Sequence, residues 1–432
     1  MKIAIIGAGI GGMAAAYDLQ KNGHSVTIFE ASDGVGGLAR GFKEPEWDWT
    51  VERFYHHWFL SDSAILGLIR ELEWQERVVI RRPVTVMYSN GQFYPFDSIA
   101  AALLYPGLGW GINKVRFGLV GLYLRLTNNW KPMEHTTVDA WMRKYAGNKV
   151  FEEMWEPMLI GKFGSYAKEV NMAWMWARLH ARTTKLATYE GGFQAFANQF
   201  AAELQQRGIS ILQNTAIQRI EVGEEKRLRI YLANGQSEEF DQCLVTSSPA
   251  QMAIMAPQLP LEYLQGLLNL KSLGAVVLVV SLKEQLSKEG YYWFNLPKSA
   301  GFPFLALVEH TNFLPKEHFG GDHIIYCGDY LETDHEYFGL SEEELLQRFL
   351  PSFLRINPDF KPDWVKKTWL FRTAYAQPVP LVDHSRNIPE IRTPLKGLYF
   401  ASMSQVYPWD RGTNFAVQIA RQAAGLMQQD AA

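Results

Sequence analysis

A glycine-rich loop near the first residues of the chain has the spacing of a phosphate-binding turn. The loop consists of Gly7, Ala8, Gly9, Ile10, Gly11 and Gly12. Three of its glycines stand at G-x-G-x-x-G spacing, which permits a tight turn, close approach of the backbone to a pyrophosphate, and close packing of helix on strand. Glu30 follows at about the distance where this motif places an acid that binds ribose hydroxyls. The spacing therefore predicts a dinucleotide site.

The segments around this loop have the patterns that such a site requires. Lys2 to Ile6 is a nearly unbroken apolar run, typical of a strand buried on both faces of a parallel sheet. A predicted helix follows the loop and ends at Asn22, and its N-terminus would direct free N–H groups towards the phosphates. Ser25 to Phe29 is a second predicted strand, with Glu30 at its end. Because strand, turn, helix, strand and acid agree, an incidental glycine turn is a poor explanation.

The composition limits the domain count and the partners. The chain has 432 residues, which predicts two or three domains. Charged residues make up 20% of the chain and the net charge is −3, so no nucleic-acid partner is expected. The 14 Trp, 19 Tyr and 25 Phe residues favour a large apolar or planar small-molecule ligand, although aromatic side chains also build ordinary cores.

The cysteine content indicates the compartment and argues against a metal centre. Cys243 and Cys327 both lie in apolar, strand-like runs, which predicts core residues in a reducing compartment and not a disulfide. No His and Cys cluster has zinc spacing, and two cysteines are too few for an iron–sulfur cluster held by four. We therefore expect no metal. The chain begins directly in its first predicted strand, with no room for a signal peptide, so we expect a cytoplasmic protein.

A second glycine signal follows the acid and carries a family resemblance. Gly36 and Gly37 would let the backbone pass close to a pyrophosphate that is already held by the first loop. The pattern from Ile3 to Arg40 resembles the flavin-binding signature of flavin amine oxidases, protoporphyrinogen oxidases and phytoene desaturases, and more distantly that of UDP-galactopyranose mutases. Leu38 stands where this superfamily usually has an arginine, and Arg40 follows two residues later. The resemblance implies an FAD site whose contacts here include Ala31, Gly36, Gly37, Leu38 and Arg40.

The aromatic segment Trp47 to Phe59 contains the adjacent histidines His56 and His57. In the superfamily the corresponding segment runs beside the flavin ring, and the mutases carry a histidine there. The resemblance thus implies that His57 and His56 are candidate catalytic residues. The alternative is a pair of packed, hydrogen-bonded core histidines, which is common in aromatic surroundings.

Two later segments resemble further parts of the flavin site. The run Asn214 to Ile220 is similar to the second flavin segment, in which the residue that matches Ile217 holds the adenine edge through its backbone. The last segment resembles the turn and helix N-terminus that face the pyrimidine edge, where a helix dipole stabilises negative charge at N1 and O2 of the reduced ring. Its implied contacts are Asp410, Gly412, Thr413, Asn414 and Phe415. The usual Gly-Asp pair after the preceding strand is replaced by Ser402 and Met403.

The middle of the chain leaves alternatives open. Ser98 to Leu126 is apolar but is interrupted by Pro106, Lys114 and Arg116, so it is not expected to span a membrane. It forms either buried helices that line a substrate cavity or an interfacial patch that collects a lipid-soluble substrate.

A later tryptophan-rich helix is similarly ambiguous. One predicted helix contains Trp174 and Trp176, and Arg178 and Arg182 follow them. These side chains either form the wall of a pocket for a planar, anionic substrate or belong to a core helix with solvated arginines.

The predicted fold is α/β, with a doubly wound, Rossmann-like FAD-binding domain built from discontinuous segments and a second, α+β substrate domain. The FAD-binding domain takes residues 1–76, 187–262 and 377–432, and the substrate domain takes residues 77–186 and 263–376. The first boundary precedes a predicted hairpin in Val84 to Phe96 around Asn90 and Gly91.

The resemblance implies an FAD-dependent dehydrogenase or oxidase. Its substrate would be an amine, a porphyrinogen-like ring or a polyene. We expect this substrate to be an apolar or aromatic small molecule that gives hydride to flavin N5. One alternative is an isomerase like the sugar mutases, which use reduced flavin as a nucleophile. Another is a flavoprotein scaffold without catalysis, since fold alone does not determine function. Peripheral membrane contact, the electron acceptor and the oligomeric state stay open.

Overall fold

A computed structural model describes residues 1–109, 111–223 and 227–431, with the side chain of Ile99 left undescribed. Residue 110, within the apolar segment 98–126, thus lies outside the described residues. The strands are β1 Lys2–Ile6, β2 Ser25–Phe29, β3 Gly41–Phe42, β4 Val51–Glu52, β5 Trp58–Phe59, β6 Val78–Arg81, β7 Thr85–Ser89, β8 Gln92–Pro95, β9 Leu186–Tyr189, β10 Ser210–Leu212, β11 Ile217–Val222, β12 Leu228–Leu232, β13 Ser237–Phe240, β14 Gln242–Val245, β15 Ser272–Leu282, β16 Trp293–Asn295, β17 Ala306–Glu309, β18 His323–Leu331, β19 Val365–Pro378 and β20 Leu398–Phe400.

The helices are interspersed with these strands, and in the described residues six of them, α3 to α8, follow one another without a strand between them. They are α1 Ile10–Lys21, α2 Ser63–Glu71, α3 Ile99–Leu104, α4 Ile112–Leu126, α5 Val138–Tyr145, α6 Asn148–Val150, α7 Glu156–Phe163, α8 Met172–Ala181, α9 Phe193–Gln206, α10 Pro249–Met255, α11 Leu261–Asn269, α12 Glu342–Ile356 and α13 Thr413–Ala431. A π-helical turn, Phe151–Trp155, joins α6 to α7.

A parallel sheet with strand order β10-β2-β1-β14-β20 forms the first layer of the fold. Alternate side chains of β1 enter two different cores, which is the period-two pattern of a strand buried on both faces. Ile3 and Ile5 pack with α1, α9 and α13, whereas Ala4 and Ile6 pack against α10 and the antiparallel sheet β11-β12-β13. This arrangement confirms the predicted α/β class and adds a small antiparallel sheet on one face.

The second layer is a mixed sheet with strand order β19-β15-β18-β17-β16-β7-β8. The predicted hairpin is present as β7 and β8, and its turn residues Asn90 and Gly91 have φ angles of +49° and +82°. A helical core formed by α4, α5, α7 and α8 packs beside this sheet. The strands of the parallel sheet fall within residues 1–76, 187–262 and 377–432, and the position of the domain boundaries stays a prediction.

Candidate functional site

The glycine loop connects the end of β1 to the start of α1, as its spacing predicts. A Cβ atom on Gly12 would lie 2.1 Å from the carbonyl oxygen of Gly7, so only glycine lets the helix approach the strand this closely. A Cβ atom on Gly9 would enter open space, since the nearest described atom is Cα of Gly37 at 4.0 Å. The loop therefore has a tightly packed side and an open side, and the open side fits a pyrophosphate.

The second glycine pair lies directly against the first loop. The N–H of Gly36 donates to the carbonyl oxygen of Ala8 at 2.9 Å, and Gly36 forms a parallel bridge with Gly9. A Cβ atom on Gly37 would lie 3.2 Å from Cα of Gly9. Leu38 follows within a short 3₁₀ turn, Gly37–Ala39. The two predicted phosphate segments thus meet at Gly9.

Glu30 holds the glycine loop in place through its carboxylate. Its Oε2 accepts from the N–H of Ala8 at 2.8 Å, and its Oε1 accepts from the N–H and the hydroxyl of Ser32 at 2.9 and 2.7 Å. A carboxylate has roughly four acceptor positions, so about one of them is left for a ribose hydroxyl. Ala31, between these residues, is exposed at the same edge.

Two arginines lie beside the second glycine pair. The guanidinium of Arg40 binds Asp33 at 2.6 Å, and its backbone oxygen accepts from the N–H of Arg53 at 3.0 Å. Burial and the charge of Arg40 lower the pKa of Arg53. Nε of Arg53 has no hydrogen-bond partner among the described residues. The exposed carboxylate of Asp33 is therefore the counter-ion that the structure gives for both guanidiniums. This excess of positive charge fits the binding of a further anion such as a phosphate.

The segment before Ile217 reaches the same edge of the sheet. The N–H of Asn214 donates to the carbonyl of Ser32 at 2.9 Å, and that of Thr215 donates to the carbonyl of Glu30 at 2.8 Å. Ile217 begins β11 two residues later. Ile217 thus lies near Glu30, the predicted ribose acid, and this position fits the predicted contact between its backbone and adenine.

The C-terminal segment joins the aromatic segment by side-chain hydrogen bonds. Nε1 of Trp58 donates to the hydroxyl of Thr413 at 2.8 Å. Oδ1 of Asn414 accepts from the N–H groups of Ala64 and Ile65, at 2.9 and 3.2 Å, in the first turn of α2. Oδ1 of Asn414 therefore caps α2, and the backbone and Nδ2 of this residue remain for a cofactor contact. Gly412 precedes this pair, and Phe415 stacks on Trp409.

The adjacent histidines are uncharged near neutral pH. Burial lowers the pKa of His56 to about 4. Burial, followed by the charge of Arg182, lowers the pKa of His57 to about 3. Nδ1 of His57 is buried and has no hydrogen-bond partner among the described residues. His57 precedes Trp58 in the sequence, and His56 and Trp58 both pack on Phe193, but the two histidines are poor bases at these pKa values.

A buried ion-pair cluster stands beside the histidines, and the sequence patterns did not reveal it. Asp410 accepts from Nζ of Lys162 at 2.7 Å, lies 3.7 Å from the guanidinium of Arg178, and accepts from the N–H of Arg411 at 3.0 Å. The guanidinium of Arg411 binds the hydroxyl of Tyr330. Burial alone would raise the pKa of Asp410, but Lys162 and the two arginines outweigh it and lower that pKa. The carboxylate of Asp410 is thus an ion-pair partner, and its cofactor contact stays a prediction.

Lys162 is the most deeply buried cation of this cluster, with 6% of the residue exposed. Burial lowers its pKa to about 7, although Asp410 opposes the shift. Its Nζ also lies 5.3 Å from the ring centre of Trp174. The available sequence signal was the position of this lysine within the apolar run Met158–Phe163.

A small cleft opens beside the cluster, and its walls are partly polar and partly apolar. Asp410 and Arg411 supply charge, Gln377 and His384 supply further polar groups, and the apolar lining consists of Trp174, Pro378, Pro380, Met403, Val406 and Trp409. The residues of this region therefore combine an open glycine loop, the predicted ribose acid and a cleft with two tryptophans. This set fits a dinucleotide flavin, which the glycine segments and Glu30 would hold.

Comparison with known proteins agrees with this assignment. The family model for flavin-containing amine oxidoreductases matches residues 10–427. The chain is 22% identical over 436 residues to a 15-cis-phytoene desaturase of Narcissus pseudonarcissus, which covers 93% of this chain and 75% of that protein. It is 28% identical over 185 residues to a mitochondrial protoporphyrinogen oxidase of Nicotiana tabacum, covering 40% and 34%. The match to the desaturase of Synechococcus elongatus spans only 33% of either protein.

Solved structures show the same fold at low identity. An oxidoreductase from Methanosarcina mazei has a TM-score of 0.76 at 17% identity, covering 99% of this chain and 100% of that one. A reduced UDP-galactopyranose mutase has a TM-score of 0.77 at 14% identity, covering 99% and 95%. These likenesses concern the fold alone, whereas the family model covers nearly the whole chain. The chain therefore belongs to the flavin-containing amine oxidoreductases, and its cofactor is FAD.

Proposed function

We propose that the protein is an FAD-dependent oxidoreductase whose substrate is an apolar or aromatic molecule that is neutral or anionic, and not a protonated amine. The observation that carries the proposal is the cation-rich cluster beside the aromatic cleft. When bound, the flavin accepts hydride at N5 from a substrate C–H bond and passes the electrons to an acceptor.

The charge balance of the cluster separates the candidate substrates. Lys162, Arg178 and Arg411 face a single carboxylate, Asp410. At about 6 Å and an effective dielectric constant of about 20, one uncompensated cation costs an ammonium group about 3 kcal/mol, or about a hundredfold in affinity. A carboxylate on a planar ring would instead be attracted, and a neutral polyene would contact the aromatic walls.

The protein's own groups orient the substrate and handle protons. Trp174 and Trp409 line the cleft, so a flat apolar substrate that binds beside it would contact their rings. Lys162, with a pKa near 7, holds a proton on Nζ that it can exchange near neutral pH. His56 and His57 stay uncharged there and serve as packing and hydrogen-bonding groups.

Anaerobic mixing of the holoprotein with a substrate panel tests the proposal. The panel contains a porphyrinogen with carboxylate side chains, a neutral polyene and a primary amine, and the flavin absorption is followed. Bleaching by the porphyrinogen or the polyene, without bleaching by the amine, is expected. Bleaching by no member would refute the oxidoreductase assignment, and bleaching by the amine alone would refute the charge argument.

A second candidate is an isomerase that acts on nucleotide sugars, as the name of the mutase with a similar fold indicates for that protein. The observation in its favour is the pairing of His57 with Arg178 and Arg182, whose charges both lower the pKa of His57. Such arginines would bind a diphosphate. Tight binding of UDP-galactopyranose by the reduced protein would support this candidate, and absence of binding would remove it.

A further inference from the structure

Helix α4 carries apolar side chains on both of its sides. Val120 and Leu124 point inwards and belong to the helical core. The outward side, here called the apolar face of α4, consists of Ile112, Val115, Leu119, Leu122 and Leu126. All five of these residues are more than half exposed. Large apolar side chains that are exposed together on one side of a helix are uncommon in soluble proteins unless another surface covers them.

The apolar face continues onto the neighbouring helix α3. Nζ of Lys114 donates to the carbonyl oxygen of Leu103, which places the end of α3 against the start of α4. Leu103 and Leu104 are exposed there, Leu104 by 74%. Tyr123, at the other end, is exposed and stacks on Trp141. An apolar patch of this extent with aromatic side chains at its edge marks an interaction surface.

The charges around the apolar face are positive. Residues 98–133 contain no Asp or Glu, and they contain Lys114, Arg116, Arg125 and Lys131. The acidic side chains of the adjacent helices are already paired. Asp139, Glu152 and Glu156 bind Arg143, and Glu153 pairs with Lys149 and accepts from Tyr105. An apolar stripe within a segment of net positive charge complements the surface of an anionic bilayer.

We propose that the apolar face of α4 inserts into the surface of a lipid bilayer that contains anionic lipid. The docked face would lie close to the candidate site, because α4 is fastened to α8. Nε1 of Trp176 donates to the carbonyl of Thr127 at 2.9 Å, and Arg125 donates to the carbonyl of Arg182 at 2.6 Å. In the described residues, no helix is long and apolar enough to cross a membrane, so this contact is peripheral.

Flotation of the yellow holoprotein with lipid vesicles tests the proposal. One vesicle preparation contains phosphatidylcholine alone, and the other contains equimolar phosphatidylcholine and phosphatidylglycerol. The protein should float with the anionic vesicles and much less with the neutral ones. The double variant Leu119→Gln and Leu122→Gln should bind the anionic vesicles at least about tenfold more weakly, because two inserted apolar side chains are lost.

A matched control changes two similarly exposed apolar residues on two other helices. Ile254→Gln with Leu268→Gln, on α10 and α11, should leave flotation unchanged. FAD content and circular dichroism establish that both double variants are folded. Failure of the wild type to float with either preparation would overturn the proposal, as would equal flotation of the α4 variant. In a third outcome, the wild type does not float, it is a dimer in sedimentation equilibrium, and the α4 variant is a monomer. That result would assign the face to a second copy of the chain instead.

Discussion

The amine of Lys162 donates to the carboxylate of Asp410 at 2.7 Å. Lys162 comes from α7 and Asp410 from the loop before α13, so the pair joins the helical core to the C-terminal flavin segment. The arginines Arg178 and Arg411 adjoin the same carboxylate. The pair therefore determines both the charge of the cleft and the position of the loop that contains Gly412.

The pH dependence of stability should report the burial of Lys162. Burial lowers the pKa of Lys162 from 10.5 to about 7. The unfolded state thus binds more protons between these values, and Lys162 makes the free energy of unfolding rise with pH across that interval. Urea denaturation at about pH 7 and about pH 9 should show a larger rise for the wild type than for Lys162→Met.

The difference in pH dependence between the wild type and Lys162→Met excludes the contributions of other titrating groups to stability. Burial raises the pKa of Glu52 to about 7 and that of Glu309 to about 8, which gives a contribution of the opposite sign. Both carboxyls are present in the wild type and in Lys162→Met, so they cancel in the difference. Equal pH slopes for the two proteins would contradict the buried position of the Lys162 cation.

The rate of flavin reduction should depend on Lys162 and not on protonation of the histidines. With any substrate that bleaches the flavin, the anaerobic rate should change near pH 7, where Lys162 titrates. Lys162→Met should abolish this change. His57→Asn is expected to alter the rate without moving the inflection, since the pKa of His57 lies near 3. If the inflection is lost in His57→Asn and kept in Lys162→Met, the titrating group is His57 and not Lys162.

Substitution of Gly9 should prevent cofactor binding without preventing folding. The side chain of Gly9→Val would enter the open space where the pyrophosphate is expected, so the variant should be folded and colourless. Gly67→Val in α2 is the control, because a Cβ atom on Gly67 meets no described atom within 4 Å, and this variant should stay yellow. Absorption spectra measure the bound flavin, and circular dichroism measures folding. A yellow, stoichiometric Gly9→Val protein would contradict the assigned loop.

Removal of the Glu30 carboxylate should weaken FAD binding by about 1.5 to 3 kcal/mol. It should also lower the stability of the apoprotein, because the N–H groups of Ala8 and Ser32 lose their acceptor. Fluorescence titration of apo Glu30→Ala with FAD measures the first effect. Glu238→Ala, which removes an exposed carboxylate bound to Lys2, is the control. Unchanged FAD affinity in Glu30→Ala would count against the ribose role.

The helix cap formed by Asn414 predicts a loss of stability. Asn414→Ala leaves the N–H groups of Ala64 and Ile65 without their acceptor, at a cost of about 1 to 2 kcal/mol. Asn414→Asp keeps an acceptor at a helix N-terminus and should retain most of this stability. Chemical denaturation of the apoproteins distinguishes the variants, and equal stability of the alanine variant would show that the cap contributes little.

Local patterns predicted the parts of the fold in which neighbours along the chain are also neighbours in space. The strand, glycine loop and helix from Lys2 to Lys21 and the hairpin around Asn90 and Gly91 are of this kind. The site cluster is not, because Lys162 and Asp410 meet across 248 positions of sequence. The burial of Lys162 follows from packing against Trp174, and periodicity alone cannot anticipate such a contact.

The exposed face of α4 shows a second limit of sequence patterns. Apolar residues on both sides of Ile112 to Leu126 were compatible with buried helices and with an interfacial patch. Which side is covered depends on α8 and the helical core, and so on the tertiary arrangement. The structure places Val120 and Leu124 inside and leaves Leu119 and Leu122 outside.

The order of strands in the parallel sheet has a consequence for biosynthesis. β1 pairs with β14, β14 pairs with β20, and α1 packs on α13, so the first and last parts of the sequence form one unit. Contacts of such long sequence separation form slowly. On the ribosome, the glycine loop emerges early but must wait for residues 398–415 before its surroundings are complete. We therefore expect capture of FAD to be a late event, and nascent chains that stop before β20 should remain colourless.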